Sequence, residues 1–304
     1  MERNMFKSGF IGIIGRPNVG KSTLLNGIVG ERIAITSRKP QTTRNRIMGI
    51  RNLAGERPGQ LIFLDTPGIH RGTSPLNRAM VEAATGAIGN VDLLLLIAEA
   101  GAAPHPDDRF IIEALRESAP PVFLAINKID LVKKSLLLPL IDAFSGLHPF
   151  REIIPISALK GIGVDALIGE IWEALPEGPR YFPEEMMTDR SERFIAAEFI
   201  REKITILTHQ EVPYATAVVV DAFKEDEARN MIRIAATIHV AKDSQKGIII
   251  GRKGAMLKAI GTKARLEMEK FFAAKVFLEL FVRVAKDWTN DPRMLQEFGY
   301  RDKV

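Results

Sequence analysis

The chain has 304 residues, 46% of them apolar and 26% charged, with a formal net charge of +5 and no cysteine. That length holds about two domains. The missing cysteines exclude a disulfide framework, a thiolate metal site and a cysteine nucleophile, and no stretch reaches the ~18 continuous apolar residues of a membrane-spanning helix.

Residues 10–30, FIGIIGRPNVGKSTLLNGIVG, read as an apolar strand, a loop and a helix. The loop carries the phosphate-binding pattern GxxxxGK[ST], with Gly15, Gly20, Lys21 and Ser22 at the fixed positions. Glycines let the backbone N–H groups converge on a phosphate. Lys21 supplies a point charge to the β/γ-phosphates, and the Ser22 hydroxyl is placed to ligate Mg²⁺. The helix aims its positive N-terminus at the same anion. Asn18, Val19 and Thr23 are counted with the cradle. Residues 37–46, SRKPQTTRNR, are polar without an apolar period and read as a loop. LIFLDTPGIH, residues 61–70, is an apolar strand ending in Asp65-Thr66-Pro67-Gly68. A carboxylate at that strand end can reach Mg²⁺, and the Gly68 N–H can meet a γ-phosphate, so a loop beginning there senses hydrolysis.

PVFLAINKIDL, residues 121–131, is another buried strand, ending in Asn127-Lys128-Ile129-Asp130. Guanine shows two donors, N1–H and the 2-amino group, on one edge, and a single carboxylate accepts both. Asp130 therefore reads guanine, Asn127 holds the loop and the N7 side, and the Lys128 stem lies over the ring. IIPISALKGIGVDALI, residues 153–168, ends a strand at Ser157-Ala158-Leu159-Lys160, where backbone N–H groups can bond the guanine O6.

Together GRPNVGKS, DTPG, NKID and SALK resemble the translation-factor-related class of small GTPases, whose first switch falls at residues 37–46. The resemblance implies that Thr43, which directly precedes Arg44 as in related loops, closes on Mg²⁺ in the GTP state in preference to Thr42. It also implies that Asn18 helps hold a K⁺ ion beside the phosphates. Lys21, Thr43, Gly68 and Asn18 are the expected catalytic set, with Ser22, Thr43 and Asp65 around Mg²⁺. The residue after DTPG is Ile69, where Ras-like proteins place a glutamine to orient water, so slow intrinsic turnover is expected.

The α/β pattern runs to Leu175, giving a GTP-binding domain over 1–175. Pro176, Gly178, Pro179 and Pro183 mark 176–189 as a linker. The last domain, 190–304, reads as a helix at 193–207, a hairpin-like pair of strands, the loop Gly251-Arg252-Lys253-Gly254, a helix and a final alternating strand at 276–288. This order resembles a type II KH domain. Two glycines allow close approach to a sugar-phosphate chain, Arg252, Lys253 and Lys258 add charge, and Ile248, Ile249, Ile250 and Ile260 are expected to line an apolar groove for unstacked bases. Residues 242–275 hold nine Lys/Arg and three Asp/Glu, whereas 181–238 hold seven and eleven. The basic excess is local to the GxxG region and favours a phosphate polymer.

A small-GTPase domain followed by a KH domain resembles the Era family of bacterial ribosome-assembly GTPases, over about residues 8 to 290. The fold expected is an α/β P-loop domain, a mostly parallel sheet with helices on both faces, followed by an α+β KH domain. The resemblance implies GTP/GDP and Mg²⁺ as ligands and the 3′ end of small-subunit ribosomal RNA, in the pre-30S particle, as partner. It implies a monomer and places the tail from Asp287 near the RNA groove. GTP is expected to order the loops at 37–46 and 66–85 and so alter the RNA groove. Two rivals are an RNA-binding assembly protein with a structural nucleotide, and a GTP-gated switch whose basic face makes peripheral contact with the inner membrane. MERNMFKSG has no signal-peptide core, so a cytoplasmic protein is expected. The five histidines, His70, His105, His148, His209 and His239, show no metal-ligand spacing.

Overall fold

The computed structural model describes residues 5–37, 39, 42–68, 91–116 and 120–300. Ile69, His70 and the rest of the loop expected to sense hydrolysis lie outside them. Two compact units are present. The described parts of the first are 5–34, 43–68, 91–116 and 120–189, and those of the second are 35–37, 39, 42 and 190–300.

The first unit is built on six strands: β1 (Lys7–Ile14), β2 (Ile47–Leu53), β3 (Gly59–Asp65), β4 (Leu93–Glu99), β5 (Val122–Asn127) and β6 (Glu152–Pro155). Their order is β2-β3-β1-β4-β5-β6. Only the β2–β3 pairing is antiparallel. The helices are α1 (Lys21–Val29), α2 (Pro106–Ala114), α3 (Leu137–Ser145) and α4 (Val164–Ala174). Side chains alternate across a sheet. Leu94, Leu96 and Ala98 of β4 pack with Ile111 and Ile112 of α2 and Leu140 and Phe144 of α3. Leu93, Leu95 and Ile97 point the other way and are just as buried. Both faces are therefore covered, which is why these strands read as unbroken apolar runs.

The segment expected as a linker, 176–189, is bound down along this unit. Gln60, fully buried in β3, accepts from the N–H groups of Tyr181 and Phe182 at 2.9 Å each and donates to the Phe182 carbonyl at 2.9 Å. Ile50 N–H donates to the Met187 carbonyl at 2.8 Å, and Ser8 Oγ to the Pro179 carbonyl at 2.7 Å. Proline and glycine content marked it as a linker. The open hydrogen-bonding positions of β1–β3 instead turn an extended segment into a strap.

The second unit holds α5 (Glu192–Leu207), β7 (Thr216–Asp226), β8 (Met231–Val240), α6 (Asp243–Ile250), α7 (Ala255–Phe272), β9 (Lys275–Val284) and α8 (Pro292–Glu297). β7 and β8 are antiparallel, whereas β8 and β9 are parallel. A parallel pair needs a crossover, and α6, the GxxG loop and α7 form it. The helix expected after the loop is α7, and a second helix, α6, which the sequence reading did not place, precedes the loop. This corrects the groove assignment. On a helix, neighbours point about 100° apart, so Ile248 is 45% exposed while Ile249 and Ile260 are wholly buried in the core. Ile249 and Ile260 hold the helices to the sheet and have no surface to offer a base.

Candidate functional site

The phosphate loop joins β1 to α1. Gly15 and Gly20 adopt φ of 150° and 105°. Gly68, at the end of β3, packs so closely on the loop that an added Cβ would lie 2.8 Å from the Pro17 nitrogen. Lys21 is buried and donates to the carbonyls of Gly15 at 3.1 Å and Arg16 at 2.9 Å, so its ammonium closes over the loop. Burial pulls its pKa down to about 8, partly opposed by Asp65 and reinforced by Arg16. Arg16 Nε donates to Asp108 of α2 at 2.8 Å, which ties the loop's outer edge to a buried carboxylate.

Three hard oxygens meet beside Lys21. Ser22 Oγ lies 2.7 Å from both Asp65 Oδ2 and Thr43 Oγ1, and Thr43 Oγ1 lies 3.5 Å from Asp65 Oδ2. Burial pushes the Asp65 carboxyl up to about 6, against the opposing pull of Lys21 and of the Ser22 and Thr43 hydroxyls. Asp65 Oδ1 is buried and has no hydrogen-bond partner among the described residues. Two hydroxyls, a carboxylate and an orphaned carboxylate oxygen suit a small hard cation that takes its other ligands from phosphate and water. Of the two candidate threonines, Thr43 is at this cluster. Thr42 Oγ1 turns to the Lys39 carbonyl at 2.8 Å. Thr66 is pinned to the Ile13 carbonyl at 2.8 Å and Val19 is a core side chain, so each offers the loop only its backbone.

The residues expected to recognise the base come from the ends of β5 and β6. Asn127 Nδ2 donates to the Val19 carbonyl at 2.7 Å, and its Oδ1 accepts from the Ala158 N–H at 2.9 Å. One buried amide thus clamps the phosphate loop to the SALK turn. The Ala158 N–H, expected to meet guanine, is engaged by Asn127 here, while Leu159 is 78% exposed beside it. Ser157 Oγ donates to Asp130 Oδ1 at 2.6 Å and fixes that carboxylate. Lys128 stands at φ 67° and reaches Glu99 at 2.7 Å, which holds its stem in place. Asn18 is likewise left-handed, at φ 65°.

In the second unit Gly251 has φ 70°, and a Cβ there would lie 2.7 Å from the Met256 Cβ. Arg252, Lys253 and Lys258 are exposed, Ile248 is exposed beside them and Ile250 partly so. Gly254 forms the N-cap of α7 with φ 79°. Lys253 itself is left-handed, at φ 51°. For a residue with a Cβ this costs about 1–2 kcal/mol, and it turns the side chain outward at the loop's apex.

A further cluster escaped the sequence reading. Thr36, Lys39 and Thr42 bond to α5 and the residue that ends it. Thr36 N–H donates to Glu202 at 3.2 Å, Lys39 Nζ donates to the carbonyls of Thr205 (2.6 Å) and Thr208, and Arg201 donates to the Thr42 carbonyl. Arg201, Glu202 and Lys203 are all buried and paired, with Glu198 at 2.6 Å from Arg201 and Lys203 at 2.6 Å from Glu202. The available signal was the triplet REK inside an apolar helix, because three successive charges cannot all face solvent.

Residues 10–128 match the family model described as 50S ribosome-binding GTPase, and 211–289 match that of the KH domain. GTPase Era of Syntrophus aciditrophicus is 68% identical over 298 residues, covering 98% of this chain and 96% of that protein. GTPase Era of Geobacter metallireducens is 59% identical over 300 residues, covering 99% and 100%. Among solved structures, Era in complex with MgGDPNP and nucleotides 1506–1542 of 16S ribosomal RNA is 42% identical, with a TM-score of 0.93 over 97% of this chain and 99% of that one. A variant of Aquifex aeolicus Era bound to GDP and AlF4⁻ gives 0.91, also at 42% identity and the same coverage.

Proposed function

This chain belongs to the Era family of GTPases, and on that premise we propose that it couples a GTP switch to a ribosomal RNA site. It binds GTP with Mg²⁺ in the first unit, hydrolyses it to GDP and phosphate, and holds the single-stranded 3′ end of small-subunit ribosomal RNA at the GxxG loop. In doing so it assists assembly of the small subunit. The observation that carries this reading is the full-length likeness to an Era structure containing both a GTP analogue and 16S RNA.

Backbone N–H groups of the phosphate loop and the Lys21 ammonium cradle the β- and γ-phosphates. Ser22, Thr43 and Asp65 would hold Mg²⁺, which supplies positive charge to the phosphate oxygens when bound. Water attacks the γ-phosphorus, the bond to the β–γ bridging oxygen breaks, and the electron pair leaves with GDP. Lys21 and the Gly68 N–H stabilise the charge that develops on the oxygens. Asp130 and Asn127 select guanine, with Lys128 over the ring and the turn Ser157-Ala158-Leu159 closing the base side. Ile69 cannot hydrogen-bond an attacking water, so intrinsic turnover is slow, and Asn18 would hold a K⁺ ion that would supply further positive charge beside the phosphates. Initial rates in K⁺ should exceed those in Na⁺ at equal ionic strength, and equal rates would remove Asn18 from the catalytic set.

The test of the whole reading is binding of RNA oligonucleotides from the small-subunit 3′ end, with a non-hydrolysable GTP analogue and with GDP. Binding should depend on the nucleotide and be lost when Arg252→Asp and Lys253→Asp are combined. Binding indifferent to both would overturn it.

A further inference from the structure

The side of the three-stranded sheet that faces away from the helices is closed at one end and open at the other. Even-numbered residues of β8 and β9, from Ile232 to Val284, pack into the helix-covered core, so odd-numbered ones face outward. At one end His239 stacks on Phe298 at 4.5 Å, and the buried Trp288 carries Phe298 and Tyr300. The C-terminal segment covers the sheet there. At the other end Phe277 and Phe281 of β9 are 52% and 53% exposed. Register sets Phe277 beside Arg233, Arg233 beside Lys224, and Phe281 beside Thr237. Lys275 and Arg283 lie on the same face, with Glu279 between the two rings.

We propose that this open half of the sheet is a second RNA surface, where Phe277 and Phe281 stack unpaired bases of the strand flanking the segment held at the GxxG loop. It rests on the RNA-binding reading above and extends it to a face that reading does not use. Three observations carry it. The first is charge: three exposed cations of the open half, Lys224, Arg233 and Lys275, lie beside the two aromatic rings against the one carboxylate between the rings, Glu279, while Arg283 stands at the closed end beside His239, a combination that tracks a phosphate chain while stacking its bases. A protein-docking patch would instead be depleted of charge at its centre. The second is spacing. Four residues of strand set the rings about 13 Å apart, whereas stacked bases repeat every ~3.4 Å. The rings therefore fit a splayed single strand that offers bases one at a time. The third is continuity. β9 is the edge strand, and both helices bounding the GxxG loop pack against it. A strand leaving that loop across the free edge of β9 arrives on this face.

The experiment uses the full chain with a GTP analogue and Mg²⁺, and two oligonucleotides: one confined to the GxxG-bound segment, and one extended by about six unpaired nucleotides at either end. The extended RNA should bind roughly tenfold tighter or more. Combining Phe277→Ala with Phe281→Ala should erase that advantage, while leaving the short RNA within about twofold and GTP hydrolysis unchanged. Phe277→Tyr with Phe281→Tyr should retain it. Arg233→Glu should reduce it and flatten the salt dependence of the extended RNA alone. A photoreactive phenylalanine analogue at position 281 should cross-link to the extension and not to the core segment. An unchanged length advantage in the alanine and Arg233→Glu variants overturns the proposal, as does no length advantage in the parent. So does a phenylalanine-dependent association with anionic vesicles or with a second copy of the chain that leaves RNA binding intact. Failure of the parent to bind even the short RNA would sink the underlying reading instead, and is distinguishable on that ground.

Discussion

In the proposed function Asp130 carries the recognition of guanine on one fixed carboxylate. Ser157 holds one of its oxygens at 2.6 Å and so sets the plane in which it meets a base. Asp130→Asn exchanges an acceptor for a donor, which guanine's two donors cannot match. Guanine nucleotide affinity should fall about a hundredfold, with xanthine nucleotides, which carry a carbonyl in place of the 2-amino group, gaining relative to guanine in a competition titration. His239 carries a pH dependence. Burial against Phe298 lowers its pKa, with Arg283 acting in the same direction and Asp221 and Glu297 opposing. A histidine whose folded pKa lies below its unfolded value binds fewer protons when folded. Stability is therefore lost as pH falls through ~6.5 towards the folded value. Thermal melts of the second unit between pH ~7 and ~5 should drop further for the parent than for His239→Gln.

Elements show where the sequence was legible and where it was not. The apolar runs at β3, β4 and β5 and the phosphate-loop pattern announce themselves, because a doubly covered parallel sheet leaves no polar face to confuse the period. The site residues cluster at strand ends for the same reason. What hid was everything decided by partners distant in sequence. The strap at 176–189 is invisible locally, since its hydrogen bonds go to Gln60, Ile50 and Ser8. GIIIG could be strand or helix by composition, and only the need for a parallel crossover makes it α6. Gln60 satisfies all its amide groups with Asn52, Tyr181 and Phe182. Gln60→Leu should therefore lower the stability of the first unit by about 2–4 kcal/mol, and limited proteolysis should then cut within 176–189, where the parent resists. Arg201→Ala leaves Glu198 and the Thr42 carbonyl without their buried partner, and denaturant melts should show a loss of about 3–5 kcal/mol. Arg201→Lys should recover only part of it, because one ammonium cannot reproduce the guanidinium fork.

At the scale of the whole molecule, the proposed function makes nucleotide and RNA linked ligands. If the GTP analogue raises RNA affinity over GDP by some factor, RNA must raise the analogue's affinity over GDP by the same factor. Titrations run in both orders should therefore close the cycle, whereas acceleration of hydrolysis by RNA has no such obligation. Unequal factors would mean that a third state is populated. No helix among the described residues is long and apolar enough to cross a membrane, and RNA binding should weaken steeply with salt as the lysines and arginines around the GxxG loop release counterions.

The chain order of the two units has an evolutionary edge. Residues 35–42 run between α1 and β2 in sequence, yet they are counted with the second unit and anchored to α5. A recombination event, or a cloning boundary, placed at residue 189 would look clean on paper and would strip Thr36, Lys39 and Thr42 of their partners one residue before Thr43. The halves are therefore not interchangeable cassettes. A GTPase domain transplanted without its own α5 inherits a frayed loop beside Thr43, the proposed Mg²⁺ ligand, and swaps that keep this pairing intact are the ones that should yield working chimaeras.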